Sequence, residues 1–336
     1  MKAIYAGSFD PLTKGHLFII KEASKIFDLT VVVGSNPDKK YAFSTEERIS
    51  MLKSEFDNVI GMKNQYLCDA AKELNINYLI RGIRGAADCE FERKLDVFNK
   101  KQGIQTVFIM PPKELEDVSS SFVKNLIGPI GWRNHVKELV PKSVFDALLV
   151  KYMNKVWDNL WQNEIEPQNF KEFVFKSYEN REYHNLNHIL DMLELCEKGE
   201  YCNDFIFKLA IWCHDVIDER HRSDGVTESA KEACKFFDNN ELKELILATN
   251  HGQFVNIKDF SERQKLFHDL DLSVLARNND EYKEYCAQIR AEYACFSDAD
   301  FSKGRKEYMK KMLQSKIFLS KLELEEQAIF NIKSEL

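Results

Sequence analysis

Hydrophobic and polar positions along the chain change their period near its middle. In the first half, short apolar runs alternate with segments of helical spacing. Residues 3–6 (Ala-Ile-Tyr-Ala) read as a buried strand, and residues 17–27 resume at helical period after a break of glycine and proline. A second buried strand is predicted over 29–34. A helix opens at Ser44-Thr45-Glu46-Glu47, a Ser-x-x-Glu capping box. A short strand at Val59-Ile60, a helix over 67–74 and a strand over 78–80 follow. An acidic helix start comes at Asp88 to Glu92, and a last strand spans 106–110. Strands alternating with helices predict a doubly wound parallel sheet with ligands at the carboxyl ends of its strands.

Beyond residue 130 the period is helical throughout. Helices are predicted over 132–140, 144–160, 167–178, 205–213 and 242–248, and a further helical stretch opens at Phe267. Nine of 13 glycines lie at or before Gly131 and six of seven prolines at or before Pro141, so a turn-rich α/β part gives way to an all-helical one. The expected division is 1–152 and 155–336, and 336 residues suit two domains of ~100–200 residues each.

Charge divides at the same place. Residues 1–150 carry a net +2 and the remainder −9. No basic stripe is present, so nucleic acid is not an expected partner. No apolar run approaches the ~18 residues of a membrane span, the first residues lack a signal-peptide pattern, and the eight cysteines form no Cys-x-x-Cys pair. These features predict a cytoplasmic protein with reduced thiols and no membrane partner.

Candidate chemistry in the first half centres on Gly7-Ser8-Phe9-Asp10-Pro11-Leu12-Thr13-Lys14-Gly15-His16. His16 falls where a strand ends and a helix begins, where free N–H groups and the helix dipole favour phosphate. A histidine there can donate to a phosphate oxygen as negative charge builds. Lys39, Arg81, Arg84 and the serines 119–121 fall at other strand ends, and cations converging there suit polyphosphate.

The segments GSFDPLTKGH, NPDKK, FSTEER, LIRGIRGAADCEFE, TVFIMP and SSSFVK, in this order, resemble bacterial phosphopantetheine adenylyltransferase over about residues 1–150. The resemblance implies a Rossmann-like nucleotidyltransferase fold. It implies Mg-ATP and 4'-phosphopantetheine as substrates, and a homo-oligomer. By position, it implies that Ser8 and Phe9 touch both substrates, that His16 stabilises the transition state, and that Lys39, Leu67 and Arg81 lie on the phosphopantetheine side. Gly82, Ile83, Arg84, Glu92, Ser119, Ser120 and Ser121 would lie on the ATP side. Two places depart from the family: Ser8 stands where Thr is usual, and the three residues Leu115-Glu116-Asp117 replace a more aromatic, neutral run.

In the second half the informative residues are histidines and acids. His184 and His188 are four apart, on one helix face if the helix begins early enough. His214-Asp215 ends an apolar helix, where an unpaired buried carboxylate would be costly. Asp269 and Asp271 lie in Phe267-His-Asp-Leu-Asp-Leu272, and His251, Glu228, His221 and His268 are further polar positions. Imidazole and carboxylate donors suit a divalent transition metal with open coordination positions.

This pattern, with REYHNLNHI, AIWCHDVID, ESA, DLDLSVL and IRAEYA around it, resembles the predicted metal-dependent HD-domain phosphohydrolases over about residues 155–336. The resemblance implies His188, His214, Asp215 and Asp271, in preference to Asp269, as ligands of Mn, Fe, Co, Zn or Mg. It makes His184 a general acid or phosphate contact, and His251 and Glu228 weaker candidates. His221 and His268 are expected at the surface or behind the ligands. The substrate would be a small phosphate ester. The expectation is thus a bifunctional fusion. Two alternatives stay open: the HD half senses metal or nucleotide without turnover, or the first half adenylylates another phosphate acceptor.

Overall fold

A computed structural model of the chain describes residues 1–35, 39–63, 66–218, 220, 224–251 and 259–336. It divides into two compact units, Met1–Tyr152 and Met153–Leu336. The division falls inside one continuous helix, α7 below.

In the first unit, five strands make one parallel sheet: β1 (Lys2–Gly7), β2 (Asp28–Ser35), β3 (Val59–Lys63), β4 (Tyr78–Gly82) and β5 (Gln105–Ile109). Their spatial order is β3-β2-β1-β4-β5, with Tyr5 beside both Val31 and Ile80 in register. Central strands covered on both faces read as continuous apolar runs, which is why Ala3, Ile4 and Val31 to Val33 are fully buried. The chain builds outward from β1 to β3, then returns to β4 on the other side. A crevice therefore opens at the carboxyl ends of β1 and β4.

Connecting helices are α1 (Lys14–Ser24), α2 (Thr45–Lys53), α3 (Leu67–Glu73), α4 (Ala86–Lys101), α5 (Ser120–Leu126), α6 (Trp132–Val136) and α7 (Lys142–Leu160). The predicted capping box at α2 forms: the Ser44 side chain accepts from the Glu47 N–H, and the Glu47 carboxylate accepts from the Ser44 N–H. The helix expected over 132–140 stops at Val136. Pro141 biases the residue before it away from helix, and the chain turns so that the Leu139 carbonyl accepts from the Lys14 N–H at 2.9 Å, closing off the start of α1.

The second unit is helical. After α7 come α8 (Phe170–Ser177), α9 (Leu186–Cys196), α10 (Phe205–Cys213), α11 (Gly225–Phe236), α12 (Asn240–Leu247), α13 (Glu262–Leu272), α14 (Asn279–Glu292), α15 (Asp298–Met312) and α16 (Glu325–Glu335). One core is aromatic: Trp157 meets Trp212 edge-on at 5.1 Å and Phe170 at 5.6 Å. A second gathers Leu275, Tyr282, Met309, Phe318 and Ile332. The stretch expected to open at Phe267 starts earlier, at Glu262, because Ser261 and Gln264 form a capping box there. Among the described residues no helix is long and apolar enough to cross a membrane.

Candidate functional sites

The first site is assembled just past β1. Phe9 adopts a positive φ of 48°, and its buried ring folds back under Gly7. A Cβ on Gly7 would lie 3.0 Å from that ring, so a larger residue there would have to push the ring aside. Gly15 is needed for another close approach, since a Cβ there would sit 3.0 Å from the Val118 carbonyl oxygen. The Phe9 ring meets His16 edge-on at 5.1 Å.

His16 is the third residue of α1, and with the N-cap Thr13 it forms a reciprocal capping box. The Thr13 N–H donates to His16 Nδ1 at 3.1 Å. An N–H can only donate, so Nδ1 is the unprotonated nitrogen and the neutral ring carries its proton on Nε2. Burial, reinforced by the nearby Arg84 guanidinium, lowers the imidazole pKa to about 4. His16 is therefore a neutral hydrogen-bond donor. Its main-chain N–H contacts Thr13 Oγ1 at 3.4 Å, and those of Lys14 and Leu17 also have protein partners. Free helix-end N–H groups, expected from the sequence, are thus fewer than an uncapped helix would offer.

His16 lines a cleft with Tyr5, Gly82, Arg84, Pro111 and Leu115. Gly82 ends β4. Arg84 is half-exposed and pairs with Asp88 at 3.2 Å. Ile83 is buried, and its N–H donates to the Ile109 carbonyl at 3.0 Å. Arg81 and Glu92 pair with each other at 2.8 Å, and Arg81 also donates to the Ala6 carbonyl at 3.2 Å. Ser119 caps α5, while Ser120 donates to the Pro11 carbonyl at 2.7 Å. Ser8 and Ser121 are exposed.

Lys39 lines a different cavity, with Tyr41, Arg48 and Lys151, and residues 36–38 of its loop lie outside those described. Leu67 packs against the core around Ile4 and Ile76. Of the divergent run, Leu115 lines the cleft, Glu116 is half-exposed and Asp117 exposed.

Two supports escaped the sequence reading. Asp10 is buried and accepts from the Ala42 and Phe43 N–H groups at 2.9 Å and from Lys124 at 2.8 Å. Burial would raise its pKa, but these donors together hold it below the ordinary range. Arg48, 1% exposed, donates to the Ser8 carbonyl at 2.7 Å and the Gly34 carbonyl at 3.1 Å, tying the ends of β1 and β2 together. FSTEER contains Arg48, but only its capping box was legible there.

The second site joins distant segments. α9 begins after Asn185, whose side chain caps it, so His184 lies before the helix rather than on one face with His188. The Glu292 carboxylate holds His184 instead, 2.5 Å from its Nδ1. His188 is buried on α9. α10, apolar almost all round, delivers His214 at its C-cap. His214 Nδ1 sits 2.9 Å from the Ile211 carbonyl. A carbonyl only accepts, so Nδ1 carries a proton and it is Nε2 that faces the pocket.

Three groups approach that nitrogen. His188 Nε2 is 3.2 Å from His214 Nε2. Asp215 Oδ2 is 3.2 Å from His214 Nε2, and Asp271 Oδ1 lies 3.1 Å and 3.5 Å from the two imidazoles. The donor atoms of His188, His214 and Asp215 all lie within 4.8 Å of one another. His251 Nε2 contacts the other Asp271 oxygen at 2.8 Å.

Burial disfavours charge on His214 and His184, but the carboxylates outweigh it. Asp215 and Asp271 push His214 up, while Glu292, Asp215 and Asp271 bring His184 to about 9. For Asp215 and Asp271 burial acts upward, and the surrounding imidazoles overcome it and hold both low. Such a pocket attracts positive charge.

Asp269 faces elsewhere. It accepts from the N–H groups of Leu319, Ser320 and Lys321 at 2.8, 2.6 and 2.7 Å. His268 meets His251 edge-on at 4.6 Å and contacts Asp269. Glu228 pairs with Lys231 on its own helix, and His221 lies outside the described residues.

Comparison with known proteins concerns the first unit. Residues 4–126 match the cytidylyltransferase-like family. Phosphopantetheine adenylyltransferase of Chromobacterium violaceum is 44% identical over 159 residues, 45% of this chain and 97% of that protein. Phosphopantetheine adenylyltransferase of Neisseria meningitidis is 41% identical over 162 residues, 46% of this chain and 95% of that protein. A solved structure of Plasmodium falciparum nicotinic acid mononucleotide adenylyltransferase complexed with NaAD is 20% identical, with a TM-score of 0.35 over 45% of this chain and 96% of its own.

Proposed function

Over its first half this chain belongs to the phosphopantetheine adenylyltransferase family, and on that premise we propose that it transfers AMP from MgATP to 4'-phosphopantetheine, giving dephospho-CoA and pyrophosphate. The observation that supports this best is His16, a neutral donor lining the cleft with Arg84 at the carboxyl ends of β1 and β4. The attacking group is itself a phosphate, so no base is needed to create a nucleophile. The protein's task is to align the two phosphates and stabilise charge as it develops on the α-phosphate. His16 Nε2–H donates to that phosphate without losing its own proton. Arg84 supplies positive charge, and Thr13 and Phe9 hold the imidazole in place. Formation of dephospho-CoA by the purified chain, followed chromatographically with ATP and 4'-phosphopantetheine, tests the reading. Turnover with a different phosphate acceptor alone would replace it.

For the second half we propose an HD-type phosphohydrolase acting on a small phosphate ester, with a divalent metal held by His188, His214, Asp215 and Asp271. The donor set fits. Metal bonds of about 2.1 Å at tetrahedral or octahedral angles place neighbouring ligand atoms about 3.0–3.4 Å apart; the imidazole–imidazole, His214–Asp215 and His188–Asp271 separations are 3.1–3.2 Å, and His214–Asp271 and His188–Asp215 are 3.5 and 3.9 Å. His214 already turns Nε2 inward, with Nδ1 held by the Ile211 carbonyl. When bound, the metal supplies Lewis-acid activation of water and phosphate. His184 stands beside the cluster, its Nε2 4.0 Å from Asp215, to meet the leaving oxygen or a phosphate oxygen. The test is metal analysis of the purified chain beside a phosphate-ester panel supplied with Mn, Fe, Co, Zn or Mg. Bound metal with no turnover across the panel would favour a sensing module.

A further inference from the structure

Glu292 is a buried acid to which neither reading above gives a chemical role. It ends α14 and is 5% exposed. Its carboxylate collects three bonds from one short segment. Oε2 accepts from the N–H groups of Tyr183 at 2.8 Å and His184 at 3.0 Å. Oε1 lies 2.5 Å from His184 Nδ1. The two backbone bonds hold an ionised carboxylate, which accepts and cannot donate, so the His184 proton facing it sits on Nδ1. The other ring nitrogen, Nε2, is then the one on the side of Asp215. His184 precedes the cap of α9, so no helical ladder fixes its main chain. Glu292 fixes both the main chain and the ring.

We infer that Glu292 is a positioning residue that holds the His184 Nδ1–H and so turns Nε2 toward Asp215, leaving Nε2 as the one ring atom at which proton transfer occurs. The inference rests on the phosphohydrolase reading. In the hydrolysis, His184 Nε2–H gives its proton to the leaving oxygen as the old P–O bond breaks. It keeps Nδ1–H on Glu292 and regains a proton from the water that forms the new P–O bond. A carboxylate behind a working imidazole fixes its tautomer and direction in this way.

The test uses the full chain as wild type, Glu292→Gln, Glu292→Asp, His184→Ala and the double variant His184→Ala/Glu292→Gln. Bound metal reports whether the second unit remains folded. ¹⁵N NMR of histidine-labelled, Zn-loaded protein reads whether His184 Nδ1 carries its proton, with the signal assigned by its absence from His184→Ala. Hydrolysis of p-nitrophenyl phosphate and bis(p-nitrophenyl) phosphate with Mn²⁺ reads catalysis. We expect Nδ1–H in wild type and its loss in Glu292→Gln, with metal retained. We expect kcat to fall roughly 10²–10³-fold with KM little changed, no further loss in the double variant beyond His184→Ala, and partial recovery in Glu292→Asp.

The inference is overturned if Glu292→Gln keeps the Nδ1–H form, or if it costs as much in the His184→Ala background as in wild type. It is also overturned if both Glu292 variants lose metal together with activity, which would make the acid a structural pin alone. If wild type hydrolyses neither ester, the phosphohydrolase reading fails on these probes. The Nδ1 proton in wild type and Glu292→Gln still decides whether Glu292 sets the ring.

Discussion

The two units hold their histidines in opposite electrostatic settings. His16 sits beside a cation, Arg84, and burial and that charge act together to keep it neutral. His184 and His214 sit among Asp215, Asp271 and Glu292, whose charges oppose burial and outweigh it. The same side chain thus becomes a neutral donor for anions in one unit and part of a cation-attracting pocket in the other. The sites also differ in how they are assembled. Thr13 and His16 form a site element within three residues. His184 depends on an acid 108 residues away. A locally built site tolerates distant change, whereas a site built from four helices depends on their packing.

The sharpest break in this comparison is expected in the metal pocket. His214→Ala or Asp215→Ala should lower bound metal at least roughly tenfold and abolish ester hydrolysis, while dephospho-CoA synthesis stays at the wild-type rate. Elemental analysis beside both assays checks this. Full metal retention would dismantle the proposed ligand set.

Next in size is His16→Ala, which should lower kcat for dephospho-CoA synthesis roughly 10²–10³-fold, the scale of one lost transition-state donor, with ATP binding by calorimetry little changed. The neutral ring also dictates a pH profile. Its pKa is lowered to about 4, and protonation would set an Nδ1–H against the donating Thr13 N–H. So kcat should show no histidine limb near the ordinary value of about 6.5 and should fall only as pH approaches 4. A limb near 6.5 that vanishes in His16→Ala would show that the ring titrates normally.

A third test separates two neighbouring acids. Asp271→Asn should weaken metal binding and leave thermal stability nearly intact. Asp269→Asn should do the reverse. It removes charge from a carboxylate that gathers three N–H groups at residues 319–321, which costs about 1–3 kcal/mol. Metal titration and thermal melts of both variants check this, and the opposite order would exchange their roles. The smallest effect is expected at the nucleotide cleft. Glu116→Ser with Asp117→Phe should tighten ATP about two- to threefold by removing partly screened negative charge near the cleft. Weaker ATP binding instead would give those acids a positive role.

The sequence by itself determined what depends on near neighbours. Apolar runs at 3–6 and 29–34 specified buried parallel strands, Ser44 and Glu47 specified the start of α2, and the largely apolar stretch 205–213 matched α10 from end to end. Period, cap and breaker act over one or two turns, so they survive in a linear reading. The sequence could also gather the polar residues worth suspecting, but not say which of them meet. Asp269 and Asp271 differ by two positions and have the same chemistry. Only the rotation of α13 turns one toward His188 and His214 and the other toward residues 319–321. Lys39 and His16 both follow strand ends yet line separate cavities. Asp10, Arg48 and Glu292 are unremarkable in the linear pattern, because their roles come from burial and from partners 14 to more than 100 residues away. Those partners come within reach only when the sheet and the helices close. Tertiary structure decided them because a buried charge is stable only where the fold brings it donors or an opposite charge.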